Sequence, residues 1–211
     1  ASALSFGTGG ESGTYYAFGG VLASFVSGKS DCKVTALTSG GSQANVEDLT
    51  NGNVQLAFVQ SDVMNYAYNG QRLFDSPVTG FSVVAQLYQE QVQIVTTNPD
   101  IKTVADLAGK KVSIGAAGSG VYFNAIDVLS AYDLKESDIS AVYQSFGDSA
   151  ESLKDGKIDA AFIVAGAPTT AITDLATAGS VYLVSLDDSH VQSLLSASPY
   201  YTAATIKAGT Y

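Results

Sequence analysis

Two short glycine-rich stretches, each with hydroxyl side chains and a following tyrosine, are the parts of this sequence best suited to holding a small ligand. The first includes Thr8, Gly9, Gly10, Gly13, Thr14 and Tyr15, and the second includes Ser119, Gly120 and Tyr122. Glycine lets a ligand approach the backbone closely, and hydroxyl groups donate the hydrogen bonds that orient it. Each tyrosine either covers the ligand or only packs a helix against a sheet.

Each glycine stretch lies between a strand-like segment and a helical one. Residues 4–7 and 112–115 are strand-like, and apolar residues with helical spacing follow at 17–26 and 125–129. The first turns of a helix offer unpaired N–H groups and the positive end of the helix dipole. Because such turns lie at the carboxyl ends of strands in open α/β sheets, both are predicted anion-binding sites.

The chain also repeats itself farther along. Residues 42–59 parallel residues 147–163, and both read as a helix, a glycine stop at Gly52 or Gly156, and an apolar strand. Further strand candidates lie at 34–37 and 139–143.

Two copies of a β-α-β-α-β unit predict an α/β protein with two similar Rossmann-like lobes and a ligand cleft between them. The expected boundaries are residues 1–88 for the first lobe and 89–185 for the second, with 186–211 returning toward the first. Two anion-binding turns around one cleft would suit a small carboxylate.

Further contact candidates follow the second strand of each copy. They are Gln60 and Ser61 in the first copy and Ala165 and Gly166 in the second. Asp62 is ranked below Gln60, because an acidic residue there commonly caps a helix.

Residues 82–88 and 92–96 have strand character and are expected to form a crossing that acts as a hinge. Tyr88 and Glu90 lie there. Glu90 either meets a ligand ammonium group or is a solvated surface residue. Residues 103–107 read as a short capped helix that stops at Gly109.

Composition excludes several classes of function. The net charge of −10 disfavours nucleic-acid binding. Cys32 and His190 are the only residues of their kinds, which excludes an internal disulfide and a multi-cysteine zinc site and leaves a catalytic triad little support. No apolar run reaches the roughly 18 residues that span a bilayer, so direct membrane insertion is not expected.

A dinucleotide site is a weaker interpretation of the first turn. Residues 7–13 approach the Gly-x-Gly-x-x-Gly fingerprint, but the spacing is imperfect. No acidic residue ends the second strand, where residues 38–41 read Thr-Ser-Gly-Gly, and no phosphate loop occurs. We therefore expect no cofactor.

These motifs together closely resemble the TAXI family, the solute receptors of one branch of tripartite ATP-independent periplasmic (TRAP) transporters. The resemblance covers nearly the whole chain. It rests on Gly7-Thr8-Gly9-Gly10, Gly13-Thr14-Tyr15-Tyr16, Phe58-Val59-Gln60-Ser61-Asp62, Leu87-Tyr88-Gln89-Glu90, Gly118-Ser119-Gly120, Asp159-Ala160-Ala161-Phe162 and Pro199-Tyr200-Tyr201. Two features depart from the family: the end at Tyr211, before a substantial further segment, and Gln89, where relatives often have proline.

Membership would imply a type II periplasmic-binding-protein fold and a cleft ligand such as glutamate or a related carboxylate. It would also imply delivery to a membrane permease without catalysis. Matching the motifs adds Asn124 to the contact candidates. The start of the chain resembles a mature protein after signal removal, so a periplasmic or extracytoplasmic location is expected. The alternatives are a dinucleotide-dependent α/β enzyme and a ligand-sensing module for a signalling receptor.

Overall fold

The computed structural model describes residues 2–211, which divide into two compact units. The first contains the residues up to Tyr88 together with Gly118–Gly120, and the second contains Gln89–Ala117 and Val121–Tyr211. Each unit has its own sheet and its own apolar core.

The first unit is a parallel three-stranded sheet with helices between its strands. Its elements are β1 (Ala3–Gly7), α1 (Thr14–Lys29), β2 (Lys33–Leu37), α2 (Ser42–Thr50), β3 (Leu56–Ala57) and α3 (Ser61–Asn69). The strand order is β2-β1-β3, and Gly7 pairs with both Leu37 and Ala57. The carboxyl ends of all three strands therefore meet at one edge of the sheet.

The second unit has a five-stranded mixed sheet. Its elements are β4 (Gln91–Thr96), β5 (Lys111–Ser113), α4 (Val121–Ala131), β6 (Ser140–Val142), α5 (Phe146–Lys154), β7 (Ala160–Ala165), α6 (Thr170–Ala178), β8 (Tyr182–Leu183) and α7 (Asp188–Ala197). The order is β6-β5-β7-β4-β8, in which β5 is parallel to its neighbours and β4 is antiparallel to both of its own.

The two copies of the predicted repeat have the same strand order, because β6-β5-β7 matches β2-β1-β3. The glycine stops are also confirmed, with φ of 75° at Gly52 and 65° at Gly156. The proposed alignment of the first strands was wrong by two residues. Ser113 pairs with Val142 and Ala161 as Gly7 pairs in the first unit, so Ser113 is the counterpart of Gly7. Sequence matching instead aligned Gly7, the last residue of β1, with Gly115, which lies two residues beyond the end of β5.

Of the two strands that were predicted to form a crossing, only one is present. Residues 92–96 form a strand, β4, but it pairs along its whole length with β7 and so belongs to the sheet of the second unit. Residues 82–88 form no strand, and 82–87 are exposed. Their β-branched and apolar composition suits a strand, but no strand described in residues 2–211 pairs with them.

The predicted capped helix at residues 103–107 is a short 3-10 helix, Val104–Leu107, closed by a capping box between Thr103 and Asp106. Gly109 follows it with φ of 71°. The backbone amides of Thr103 and Lys102 and the Thr103 hydroxyl donate to Asp106, and these bonds lower the pKa of its carboxyl.

Residues 186–211 were expected to return to the first lobe, but the structure places them in the second unit. There α7 packs against α4, and Leu186 and Leu194 pack against the core of that unit. The Tyr211 hydroxyl accepts a hydrogen bond of 3.0 Å from the Thr169 amide. Leu186 and Leu194 are half-buried in these contacts, and local patterns do not reveal which unit such side chains will pack against.

The core of the first unit is centred on the ring of Phe58. This ring lies 4.8 Å from Phe6, 4.9 Å from Tyr15 and 5.9 Å from Phe18, measured between ring centroids. The largest core cluster of the second unit includes Ile94 and Phe162, both at most 1% exposed. Aromatic packing thus holds the start of α1 against the end of the sheet in the first unit.

Two neighbouring glycines of α1 should respond oppositely to alanine. A Cβ at Gly19 would lie 2.5 Å from Thr8 Cγ2 and 3.1 Å from Phe58, whereas a Cβ at Gly20 would meet nothing within 4 Å. We expect Gly19→Ala to lower the free energy of unfolding by about 1–3 kcal/mol through overpacking. Gly20→Ala should raise it by about 0.5–1 kcal/mol by restricting the unfolded chain. Urea unfolding measures the free energy of unfolding of each variant. Equal stabilities of the two variants would contradict the packing described for Gly19.

Candidate functional site

The edge of the first sheet where its strands end is held together by one buried amide. Asn45, on α2, is fully buried, and its Nδ2 donates to the carbonyl oxygens of Thr8 at 2.8 Å and Phe58 at 2.7 Å. These carbonyls follow β1 and β3, respectively. The Asn45 side chain therefore fixes the turn after β1 relative to the end of β3.

Thr8 belongs to this framework and has no exposed surface. Its amide and its hydroxyl both donate to the Leu37 carbonyl, at 2.9 Å and 2.6 Å. Its own carbonyl accepts from the Ser39 hydroxyl at 3.0 Å. The hydroxyl of Thr8 thus joins β1 to β2 and does not extend from the turn.

The rest of the first turn leads directly into α1. The Gly9 carbonyl accepts from the Ser39 amide, and a Cβ at Gly9 would lie 3.3 Å from Tyr15 Cβ. The Gly10 carbonyl accepts from the Gly13 amide at 3.0 Å, which closes the turn before Thr14 starts the helix. These glycines allow the turn to pass close to Tyr15.

Ser42 connects two of the predicted contact residues, although the sequence analysis did not identify it. Ser42 is 1% exposed, and its Oγ accepts from the backbone amide of Gln60 at 3.0 Å. The Tyr15 hydroxyl lies 3.4 Å from the same Oγ. The only signal in the sequence was a serine at a helix start after two glycines. Because the strands end side by side, Tyr15 and Gln60 meet through Ser42.

The Gly118–Gly120 segment packs against these residues within the first unit. The Gly118 carbonyl accepts from the Ala44 amide in the first turn of α2 at 3.0 Å. A Cβ at Gly41 would lie 3.1 Å from Ser119 Cα, and a Cβ at Gly120 would lie only 2.6 Å from Gln60 Cδ. Glycine at position 120 is therefore required for the Gln60 amide to keep this position.

The Ser119 hydroxyl is the clearest open hydrogen-bonding position of this cluster. Ser119 is 6% exposed, and its buried Oγ has no hydrogen-bond partner among residues 2–211. A buried hydroxyl without a partner is costly. A small polar ligand that reaches Ser119 would supply the missing bond.

Gln60 also contacts the residue that was expected to cap α3. Gln60 itself is the N-cap of α3, and Asp62 lies in the first turn, where it is 4% exposed. The Gln60 Nε2 donates to Asp62 Oδ1 at 3.3 Å, and the Val63 amide donates to the same oxygen at 2.8 Å. Asp62 is therefore not the N-cap residue, which is Gln60 two positions earlier, but its carboxyl does accept from an amide of the first helical turn. Ser61, the first residue of the helix, is exposed.

Tyr88 joins the same aromatic cluster at the end of the first unit. Its ring lies edge-to-face on Phe18 at 5.9 Å, and its hydroxyl oxygen is buried. Glu90 is half-buried and belongs to the second unit. Of the predicted contacts, the structure thus brings Tyr15, Gln60, Ser119 and Gly120 into one cluster, in which Ser42 joins Tyr15 to Gln60. Tyr88 lies nearby through Phe18.

The other predicted contacts lie in the second unit in a different network. Asn124 is 1% exposed, and its Nδ2 donates to the Tyr201 hydroxyl at 2.8 Å, which in turn donates to Asp127 at 2.7 Å. Ala165 ends β7, and the Gly166 carbonyl accepts from the Thr169 hydroxyl at 2.8 Å.

His190 lies at the start of α7 and does not have the geometry of a triad. Its Nδ1 is 2.6 Å from Asp187 Oδ2, and its ring stacks on Tyr132 at 3.6 Å. The neighbouring Ser189 hydroxyl donates to Asp187 and not to the imidazole. The bonds from Ser189 and then His190 lower the pKa of the Asp187 carboxyl. This arrangement caps a helix, and no nucleophile is activated.

Residues 2–211 contain neither a cluster of metal-ligating side chains nor a helix suited to cross a membrane. No three His, Cys, Asp or Glu side chains there are grouped so that they could hold a metal ion. No helix in the same residues has both the length and the apolar character needed to cross a bilayer.

This chain matches one protein family and is similar in fold to several proteins of known structure. Residues 6–211 match the NMT1-like family. The alkanesulfonate-binding protein SsuA from Xanthomonas axonopodis pv. citri, bound to MOPS, is similar with a TM-score of 0.58 and 19% identity over 88% of this chain and 61% of that protein. The periplasmic aliphatic sulphonate binding protein SsuA from Escherichia coli is similar with a TM-score of 0.53 and 23% identity. The match covers 87% of this chain and 60% of that protein.

An ancestral arginine-binding protein bound to glutamine gives a TM-score of 0.59 and 20% identity over 89% of this chain and 80% of that protein. At these identities the likeness concerns the fold. This chain spans about 60% of the length of the two sulfonate-binding proteins.

Proposed function

Because this chain belongs to the NMT1-like family, we propose that it is an extracytoplasmic solute-binding receptor of the TAXI type, working with the membrane permease of a TRAP transporter. Its α/β fold, with two similar units, is that of a type II periplasmic binding protein, as predicted from the sequence. The neighbouring folds are those of binding proteins and not of enzymes. The transporter type rests on the sequence motifs.

The cluster at the end of the first sheet is the observation that carries this proposal. It combines the phenol of Tyr15, the amide of Gln60 and the open hydroxyl of Ser119 beside the backbone of Gly120. Phe58 stacks on Tyr15 and supplies an apolar wall. A few directed polar groups on an aromatic base are typical of a small-molecule binding site.

The proposed solute is a small carboxylate such as glutamate, a related amino acid or a dicarboxylate. A carboxylate is an acceptor with two oxygens, which matches the donors of Ser119 and Tyr15 and the amide groups at the start of α1. The similar proteins were solved with MOPS, which carries a sulfonate, and with glutamine, which carries a carboxylate. In the proposal, solute capture is accompanied by lobe closure, as is usual for hinged binding proteins.

Native mass spectrometry of the protein as purified, and again after unfolding and refolding, tests this function. Glutamate, other amino acids, dicarboxylates and a nicotinamide dinucleotide are added back in turn. We expect a carboxylate to bind, and Ser119→Ala to weaken it by about tenfold, since a hydrogen bond to a charged group contributes about 1.5 kcal/mol or more. X-ray scattering with the bound solute tests closure, which should reduce the radius of gyration.

Ser130→Ala is the matched control, because Ser130 is exposed on α4 in the other unit. It should leave affinity unchanged. A folded chain that binds the dinucleotide and none of the carboxylates would favour the enzyme alternative. Recovery of a signalling receptor in place of a permease from membranes would favour the sensing module, which uses the same pocket.

A further inference from the structure

The helix that follows the third strand of the repeat is tied down in both units by a hydroxyl group. In the first unit, Gln60 is the N-cap of α3, and its backbone amide donates to the Ser42 Oγ at 3.0 Å. In the second unit, Thr169 is the N-cap of α6, and its amide donates to the Tyr211 hydroxyl at 3.0 Å. The hydroxyl thus comes from α2 in one copy and from a residue much later in the chain in the other.

Phe146 explains this difference between the copies. It is the first residue of α5, as Ser42 is the first residue of α2. Phe146 has no hydroxyl group, and its half-buried ring packs against both apolar clusters of the second unit. The second copy therefore lacks the serine that accepts from this amide in the first copy, and Tyr211 supplies the hydroxyl in its place.

The Tyr211 hydroxyl belongs to a buried hydrogen-bond network. It donates to Oε1 of Gln93, a residue of β4 that is only 1% exposed. The Gln93 Nε2 donates to the Thr169 Oγ1 at 2.9 Å, and the Thr169 hydroxyl donates to the Gly166 carbonyl at 2.8 Å. A buried network in which each group has its partner makes the groups rigid.

This network gives Thr169 a different role from that of a usual helix cap. A threonine at the N-cap position normally accepts a hydrogen bond from an amide of the first helical turn. Within residues 2–211 the Thr169 side chain makes no such capping bond, and its hydroxyl instead turns back to Gly166, the residue after β7. The network therefore fixes the loop of residues 166–169 that joins β7 to α6.

We propose that Tyr211 is a positioning residue of the solute-binding site. Through Gln93 and Thr169, its hydroxyl holds the loop 166–169 in the conformation that contacts the solute. This inference rests on the proposed function, because Gly166 is one of the predicted solute contacts.

Two observations support a binding role for this loop. It follows the carboxyl end of β7, which runs parallel to β5, and ligands of open α/β sheets bind at such ends. Its N-cap residue, Thr169, is the counterpart of Gln60, which belongs to the candidate site of the first unit. A loop that is ordered before binding loses less conformational entropy when the solute arrives, so the network should increase affinity.

Tyr211→Phe tests this inference, because it removes only the phenol oxygen. The Thr169 amide and the Gln93 Oε1 then lose this partner, and the loop can leave its position. Isothermal titration with glutamate and with succinate, one amino acid and one dicarboxylate, measures the affinity. We expect the affinity of the full chain for the solute that binds to fall by about tenfold.

Tyr132→Phe is the matched control in the same unit. The Tyr132 hydroxyl also accepts from the backbone amide of a helix N-cap residue, that of Asp187 at 3.2 Å. This bond ties down α7 and does not involve the loop 166–169. The variant should therefore keep the affinity of the wild-type chain.

Conservative variants of Thr169 distinguish positioning from a general loss of stability. Thr169→Ser keeps both the hydroxyl and the amide and should bind as the wild-type chain does. Thr169→Val keeps the shape but not the hydroxyl, so it should weaken binding as Tyr211→Phe does. Amide hydrogen exchange without solute should show the Thr169 amide of Tyr211→Phe exchanging about tenfold faster, relative to the amides of β5.

The outcomes separate this inference from the proposed function. A wild-type chain that binds no carboxylate would overturn the proposed function and, with it, the role of Tyr211 in binding. A wild-type chain that binds glutamate or succinate with the same affinity as Tyr211→Phe would overturn the inference alone. Faster exchange of the Thr169 amide with unchanged affinity would also overturn it, since the hydroxyl would then only stabilise the second unit.

Discussion

Replacing Asn45 by leucine is expected to lower the free energy of unfolding by about 2–4 kcal/mol. The substitution removes both donors to the carbonyls of Thr8 and Phe58, which lie in the buried framework of the first unit. A buried acceptor left without a donor costs about 1–3 kcal/mol. The Thr8 carbonyl keeps its bond from Ser39, so the Phe58 carbonyl suffers the larger loss. Urea unfolding followed by circular dichroism measures the change.

The matched control is Asn69→Leu. Asn69 is exposed at the end of α3, and its side chain also donates to a backbone carbonyl, that of Asn65 at 2.9 Å. Water replaces this bond when the amide is removed, so the expected change is within about 0.5 kcal/mol. If both variants were equally stable, Asn45 would not be the link between the ends of β1 and β3.

Gly120→Ala is expected to reduce solute affinity by about 100-fold. The new methyl group would occupy the position of the Gln60 amide, whose Cδ would be 2.6 Å away. The Gln60 side chain must then move away from Asp62, and any hydrogen bond from its side-chain amide to the solute is lost, while its backbone amide keeps its bond to Ser42. Loss of such a bond and a shift of the surrounding groups together correspond to about 3 kcal/mol. Titration with the solute identified by mass spectrometry measures this loss.

A double-mutant cycle separates this clash from other effects of the methyl group. In a Gln60→Ala background, the atoms that meet the new Cβ are absent, so Gly120→Ala should change affinity little further. The same cycle followed by urea unfolding needs no solute and should show the same coupling in stability. Additive effects would mean that residues 60 and 120 act independently, against the geometry described.

Local patterns were sufficient for most of the elements. The alternation of strand, glycine turn and helix was predicted twice, and the stops at Gly52 and Gly156 have the positive φ that favours glycine. These features depend on residues within one or two turns of each other. Residues 82–88 had the same kind of local signal without forming a strand, because a strand also needs a neighbour to pair with.

In the candidate site, too, local patterns identified some residues, and others were revealed only by tertiary contacts. The sequence singled out Tyr15, Gln60, Ser119 and Gly120 because they follow strands or open helices, and the structure brings these four together. It did not single out Ser42 or Asn45, whose contacts lie 13 to 37 residues away along the chain. The first of them connects Tyr15 to Gln60, and the second holds the strand ends.

The sequence alone therefore determined the repeat, the order of helices and strands in each copy and the type of fold, because hydrophobic periodicity and glycine positions are local properties of the chain. Only the tertiary structure decided the register of the two copies, the place of residues 186–211 and the hydrogen-bond partners around Ser42 and Asn45. These depend on which groups are buried against one another. Burial makes an unsatisfied polar atom costly, and no local pattern states which distant residue will supply its partner.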